Sequence, residues 1–168
     1  MIRITTPISE KDLAKLYPGA MVLLSGELYA GRDAVLPLVV RDYQEGKLDA
    51  EIKLSGMAIF HTAVSPAGVG PTSSNKVEIE ESIVPLSKAG VRLHLGKGKI
   101  GKSTVTEMSK EGSVFAVVPP VTALLNARTK RCELVAHPEL GMEALYRLVV
   151  VDYPCVIAAV NGASIFNE

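Results

Sequence analysis

The strongest constraint on how this chain can fold is a local pattern that occurs twice: a short apolar run, a glycine-led polar loop, then helical spacing. It is found at Gly70-Pro71-Thr72-Ser73-Ser74-Asn75-Lys76 and again at Gly96-Lys97-Gly98. Strand, loop and helix in that order form the repeating unit of an α/β sheet. The same geometry brings hydroxyls, a lysine and the unpaired N–H groups of a helix start to one point, where an anion is stabilised. Two such loops predict a ligand with two anionic ends.

The rest of the chain alternates in the same way. Ser9-Glu10-Lys11-Asp12 has capping-box character ahead of Leu13 and Leu16, and Pro18-Gly19 stops that short helix. Met21-Val22-Leu23-Leu24 reads as a buried strand that closes at Ser25-Gly26 or runs on towards Tyr29. Arg32-Asp33-Ala34 opens a helix that Gly46 terminates, with Pro37 tolerated in its first turn, so Arg32 is expected beside a helix N-terminus. Met57 to Phe60 is the next strand, and Ser65 to Asn75 is the longest irregular stretch in the middle of the chain.

Ile79, Ile83, Leu86 and Ala89 then recur at helical spacing up to Gly90. Val91, Leu93 and Leu95 alternate with Arg92 and His94, which predicts a half-buried strand with His94 on its solvated face. Strands are expected at Val114–Val118 and Leu134–Ala136 with a short helix over Val121–Arg128 between them. Two more are expected at Leu145–Val151 and Val156–Val160, the last entering an Asn161-Gly162 turn. The expected architecture is α/β: one domain over 1–168, with a mixed sheet and flanking helices.

Composition narrows the function. Lys+Arg and Asp+Glu balance at 18 each, so the chain carries no global field for capturing nucleic acid or an anionic membrane, and any positive site is local. The N-terminus lacks a signal-peptide core and no stretch is long enough to span a bilayer, which predicts a cytoplasmic protein. Cys132 and Cys155 form no C-x-x-C pair, and both read as buried free thiols. Two cysteines are too few to hold an iron-sulfur cluster. His61, His94 and His137 are widely spaced and begin no zinc motif, so no metal ligand is assigned.

Gly96-Lys97-Gly98-Lys99-Ile100-Gly101-Lys102-Ser103 satisfies the phosphate-loop pattern G-x-x-x-x-G-K-[ST]. Leu148-Val149-Val150-Val151-Asp152 offers an apolar strand ending in a carboxylate on the magnesium side. Against nucleotide hydrolysis, the loop falls late in the chain, and Tyr153-Pro154 makes Asp152 an equally natural turn residue.

A different resemblance covers nearly the whole chain. The order and spacing of Ser25-Gly26, Arg32-Asp33, Gly70-Pro71-Thr72-Ser73-Ser74, Gly96-Lys97-Gly98, Leu140-Gly141-Met142-Glu143-Ala144 and Asp152-Tyr153-Pro154 resemble the β subunit, or C-terminal domain, of iron-sulfur-dependent class I fumarate hydratases and tartrate dehydratases. The resemblance implies a swivelling β/β/α domain that closes over a separate α subunit carrying a [4Fe-4S] cluster, in a higher hetero-oligomer with no nucleic-acid or membrane partner. It implies reversible hydration of fumarate to malate, with tartrate or another 2-hydroxy diacid as the alternative substrate, and a chain inactive on its own. Arg32 would clamp a carboxylate, Lys97 would be a second anion partner with a catalytic role, and Thr72 would be the acid/base residue, with Ser73 and Lys76 also on the substrate.

The chemistry of a small dianion agrees, since both ends of a four-carbon skeleton need cations and donors. Several positions depart from the family pattern. Where that pattern reads G-P-T-T-S-x-R-M-D, this chain has Ser73, Lys76, Val77 and Glu78; it has Leu36 in place of a histidine and Pro119-Pro120 in place of paired glycines. Lysine for arginine keeps the charge and loses the planar two-donor fork. A non-catalytic interaction subunit and a nucleotide-binding protein are the two readings from other functional classes.

Overall fold

In the computed structural model, residues 1–65, 68–72 and 76–166 are described, with the side chains of 71, 72 and 76–78 left aside. Strand β1 (Ile2–Thr5) leads to helix α1 (Glu10–Leu13), where the Ser9 side chain accepts from the Asp12 amide as the capping pattern requires. Strand β2 (Met21–Gly31) runs straight through Ser25-Gly26 rather than closing there. Gly26 sits at φ +110° on a register shift, and a Cβ at this position would overlap the Thr6 hydroxyl. Only glycine fits that bulge.

Helix α2 (Leu36–Gln44) begins later than expected. The Arg32 carbonyl accepts from the Val35 and Leu36 amides, so Arg32 lies in the turn before the helix rather than at its first residue. Strand β3 (Ala58–Ser65) is followed by β4 (Gly68–Thr72), which folds back antiparallel on it with Thr62 opposite Thr72. The stretch read as irregular therefore contains a strand. Helix α3 (Lys76–Lys88), strand β5 (Leu93–Gly96), helix α4 (Lys102–Lys110), strand β6 (Val114–Val117), helix α5 (Thr122–Ala127) and strand β7 (Thr129–Ala136) come next. A short 3-10 segment, Pro138–Glu143, precedes β8 (Leu145–Val160) and β9 (Ala163–Ser164).

The two strands expected around Pro154 are one. Asp152 adopts φ +53° and absorbs the irregularity inside β8, while β9 returns through Asn161-Gly162, both at positive φ, as a tight hairpin does.

Strands β1, β2, β3, β5 and β6 are parallel, and β8 runs antiparallel to both β2 and β6. The pairing path β2-β3-β5-β6-β8 thus returns to β2, and the mixed sheet closes on itself. Alternate side chains such as Leu24, Leu28, Phe60, Leu95 and Ile157 fill the interior, where Phe60 meets Tyr153 edge to face at 6.1 Å. Outside the ring, Ile79 and Ile83 of α3 and Val105 and Met108 of α4 cover the sheet around Phe115, and Val39 and Leu86 pack with Ile59. Strands β3, β5 and β6 and the carboxyl half of β2 are therefore buried on both faces, whereas β1 at the edge buries one, and the carboxyl ends of these strands open on one side.

Candidate functional site

Register fixes what lies at that edge. Gly31 of β2 pairs with His61 of β3, and Phe60 of β3 pairs with Leu95 of β5, so Arg32 and Lys97 leave the carboxyl ends of β2 and β5 level with Thr62 of β3. Carboxyl ends of parallel strands are where α/β sheets, whether open or closed into a barrel, bind ligands. Arg32 and Lys97 stand two strands apart, a backbone separation of about 10 Å that two long side chains can close onto a small dianion.

Lys97 is exposed and borders a cavity of about 70 Å³ with Phe60, Gly70, Val118, Pro119, Pro120, Thr122 and Leu125. The lysine loop, the Gly70 loop and the Pro119-Pro120 segment are thereby brought together. Gly70 is held by its neighbours: its carbonyl accepts from the Thr62 hydroxyl at 2.7 Å, and a Cβ on it would stand 3.0 Å from the Ala63 carbonyl oxygen. That seat fixes the chain entering Pro71-Thr72. The backbone of Thr72 ends β4, and Lys76 is the first residue of α3. The Thr72 and Lys76 side chains, and all of Ser73, lie outside the described residues.

Arg32 is half-buried, and its Nε, buried without a hydrogen-bond partner among the described residues, is 4.0 Å from Glu143 Oε1. A guanidinium held so loosely keeps its fork available to a carboxylate. Leu36, at the position of the family's histidine, is the first residue of α2; it is sealed in the core with Tyr29, Val39 and Leu145 and contributes no polar group.

The phosphate-loop reading meets two obstacles. The Gly101 amide at the N-cap of α4 donates to the carboxylate of Glu80 on α3, so the anion position of that helix is filled by the protein itself. Asp152 is engaged elsewhere, with Arg3 at 2.6 Å and Arg128 at 3.8 Å.

Two expectations from sequence are corrected. His94 is fully buried rather than solvated, and Cys132 is exposed rather than buried. Burial pushes the Cys155 thiol up to about 12, and partial desolvation also raises Cys132. Among the described residues no three His, Cys, Asp or Glu side chains gather as a metal site, and one exposed thiol and one inert buried thiol do not fit an iron-sulfur cluster. No helix among the described residues is long and apolar enough to cross a membrane.

A closed mixed sheet with flanking helices, which brings Arg32 and Lys97 to the carboxyl ends of its parallel strands, defines the class as an α/β fold. The chain belongs to the Fumarase C-terminus family, whose model matches residues 1–168. It is 30% identical to the L(+)-tartrate dehydratase subunit beta of Escherichia coli K12, over 94% of this chain and 82% of that protein. It is 25% identical to the aerobic class I fumarate hydratase of Salmonella typhimurium, over 93% of this chain and 28% of that protein. It is 29% identical to the anaerobic class I fumarate hydratase of E. coli K12, over 80% of this chain and 26% of that protein. The chain thus spans less than a third of these two fumarate hydratases and most of the tartrate dehydratase subunit.

Proposed function

We propose that this chain is the β subunit of an iron-sulfur hydro-lyase that reversibly hydrates fumarate to malate, inactive until joined by a partner α subunit that carries the [4Fe-4S] cluster. Convergence of Arg32 and Lys97 on one strand-end edge, in a chain of this family, is the observation that carries the reading. The two ends of a dicarboxylate need separate cations. Arg32 supplies a fork to one carboxylate, while Lys97 supplies a point charge to the other end and stabilises negative charge as it develops there.

Lys76 and the Ser73 hydroxyl add to the pole at the start of α3. Thr72 is the acid/base residue at the carbon next to the one bearing the hydroxyl, and the Gly70 seat fixes the approach of its backbone. When bound on the partner, the cluster supplies a Lewis acid for the substrate hydroxyl. This chain binds and orients the diacid, and Pro119-Pro120 with Val118 form the apolar wall of its cavity. In this reading residues 1–168 form one swivelling domain that closes over the partner in a cytoplasmic hetero-oligomer.

A second substrate is favoured by a specific observation: the relative whose length this chain matches over 82% is named as a tartrate dehydratase subunit. One experiment tests both. The chain is coexpressed with its cluster-bearing partner, the complex is reconstituted anaerobically, and turnover of fumarate, malate and L-tartrate is measured alongside each subunit alone. Turnover of one diacid by the complex and by neither subunit is expected. Activity of this chain alone, or none with any diacid by a cluster-loaded complex, overturns the reading.

A further inference from the structure

Three polar side chains sealed beneath the strand-end edge take no part in the anion site as described above. His61 and His94 are 1% and 0% exposed, and His61 Nε2 lies 3.1 Å from His94 Nδ1. Ser87 of α3 lies 3.0 Å from His94 Nε2 and donates its hydroxyl proton to the Ile83 carbonyl at 2.7 Å.

The hydrogen bonds fix the order of the chain. A neutral imidazole has one donor nitrogen and one acceptor nitrogen. Because the Ser87 proton goes to Ile83, His94 Nε2 must carry the hydrogen that Ser87 accepts. His94 Nδ1 is then an acceptor, so His61 Nε2 must donate to it. Desolvation keeps both rings neutral, lowering His61 to about 4 and His94 well below its ordinary value, while the Asp33 carboxylate acts on His61 in the opposite sense.

Each member is close in sequence or register to a different part of the site. His61 pairs with Gly31, the residue before Arg32; His94 lies three residues before Lys97; and Ser87 sits on the helix that Lys76 begins. We propose that His61 and His94 are positioning residues of the anion site, whose mutual hydrogen bond clamps β3 to β5 and, through Ser87, to α3, so that Arg32 and Lys97 keep one separation. The clamp deepens the hydro-lyase reading and rests on it for the identity of the ligand. A merely structural role would affect stability alone, whereas a clamp also affects how tightly a dianion is held.

Three variants separate these. H61L leaves the His94 acceptor without its donor. The double variant H61L/H94L removes donor and acceptor together, and the apolar pair restores a well-packed core. H61Q keeps an amide donor near the position of Nε2.

In the complex with the cluster-bearing partner, H61L and H61L/H94L are expected to raise KM for the diacid about tenfold to a hundredfold with a smaller change in kcat, and H61Q to recover most of that loss. Unfolding by urea confirms that each variant is folded. The clamp is overturned by wild-type KM in the folded double variant, or by a loss in H61Q equal to that in H61L. If the wild-type complex turns over no diacid, the hydro-lyase reading fails by itself. Calorimetric binding of succinate dianion to the full chain then decides the clamp: weakening in both leucine variants with recovery in H61Q supports it, and unchanged or absent binding overturns it.

Discussion

Lowering the pH from neutrality should destabilise this chain through its buried histidine pair, by an amount that follows from the burial. Both rings are neutral in the fold, and His61 is displaced from 6.5 to about 4. Between those two values the unfolded chain binds a proton that the folded chain refuses. The unfolded state therefore holds more protons, and stability falls as pH falls. At about 1.4 kcal/mol per pH unit of displacement, His61 alone accounts for about 3 kcal/mol, and His94 acts in the same direction.

A loss of that size is a large part of the 5–15 kcal/mol or so that holds an ordinary domain together. The chain has no tryptophan, so urea unfolding is best followed by far-ultraviolet circular dichroism. With a slope of about 2 kcal/mol per molar urea, the midpoint should drop by roughly 1.5 M or more between pH 7 and pH 4. Other groups also titrate in this range, so the informative quantity is the difference between the wild-type curve and that of H61L/H94L. The difference should be flat above pH 7, change through the window from 6.5 to 4, and favour the double variant at the acid end. Parallel curves would refute the reasoning.

Replacing Lys97 with alanine should abolish turnover of the assembled complex while the chain's circular dichroism is unchanged, and unchanged activity would remove Lys97 from the site. Arg32→Lys keeps the charge and loses the fork, and should raise KM for the diacid about 10- to 100-fold in steady-state assays. Gly26→Ala should cost about 2–5 kcal/mol in urea unfolding, since it strains a positive-φ bulge and drives a methyl group into Thr6. Because Glu80 already occupies the Gly101 amide, calorimetry should detect no ATP binding to the wild-type chain or to Lys102→Ala.

The strand-loop-helix pattern and the family resemblance together anticipated the mixed sheet, the helices after both loops, and the family that the chain belongs to. Local signals served well where local physics decides. Ser9 caps α1, Gly90 follows α3 at positive φ, and Asn161-Gly162 makes the final hairpin. They failed where another element supplies the surroundings.

His94 alternates with Leu93 and Leu95 as a solvent-facing residue would, but the face it occupies is covered by α3, where Ser87 meets it. The only sequence trace of that pairing is a serine on the covering helix, and no periodicity links it to a strand histidine. Cys132 is exposed for the opposite reason, since β7 is an edge strand whose residues Lys130 to Leu134 are all open to solvent. Sheet closure was equally invisible, because the pairing of β8 with both β2 and β6 depends on its running unbroken through Asp152 and Pro154. Of the residues assigned to the site from sequence, Arg32 and Lys97 share the strand-end edge, while the roles of Thr72, Ser73 and Lys76 rest on the resemblance alone.

The most direct test of the account is an anaerobic copurification of this chain from its native extract, with the eluate assayed for a cysteine-rich partner, for cluster absorbance and for loss of the fumarate ultraviolet band. A brown complex that hydrates fumarate is the predicted result. A colourless chain purified alone that binds ATP would contradict it.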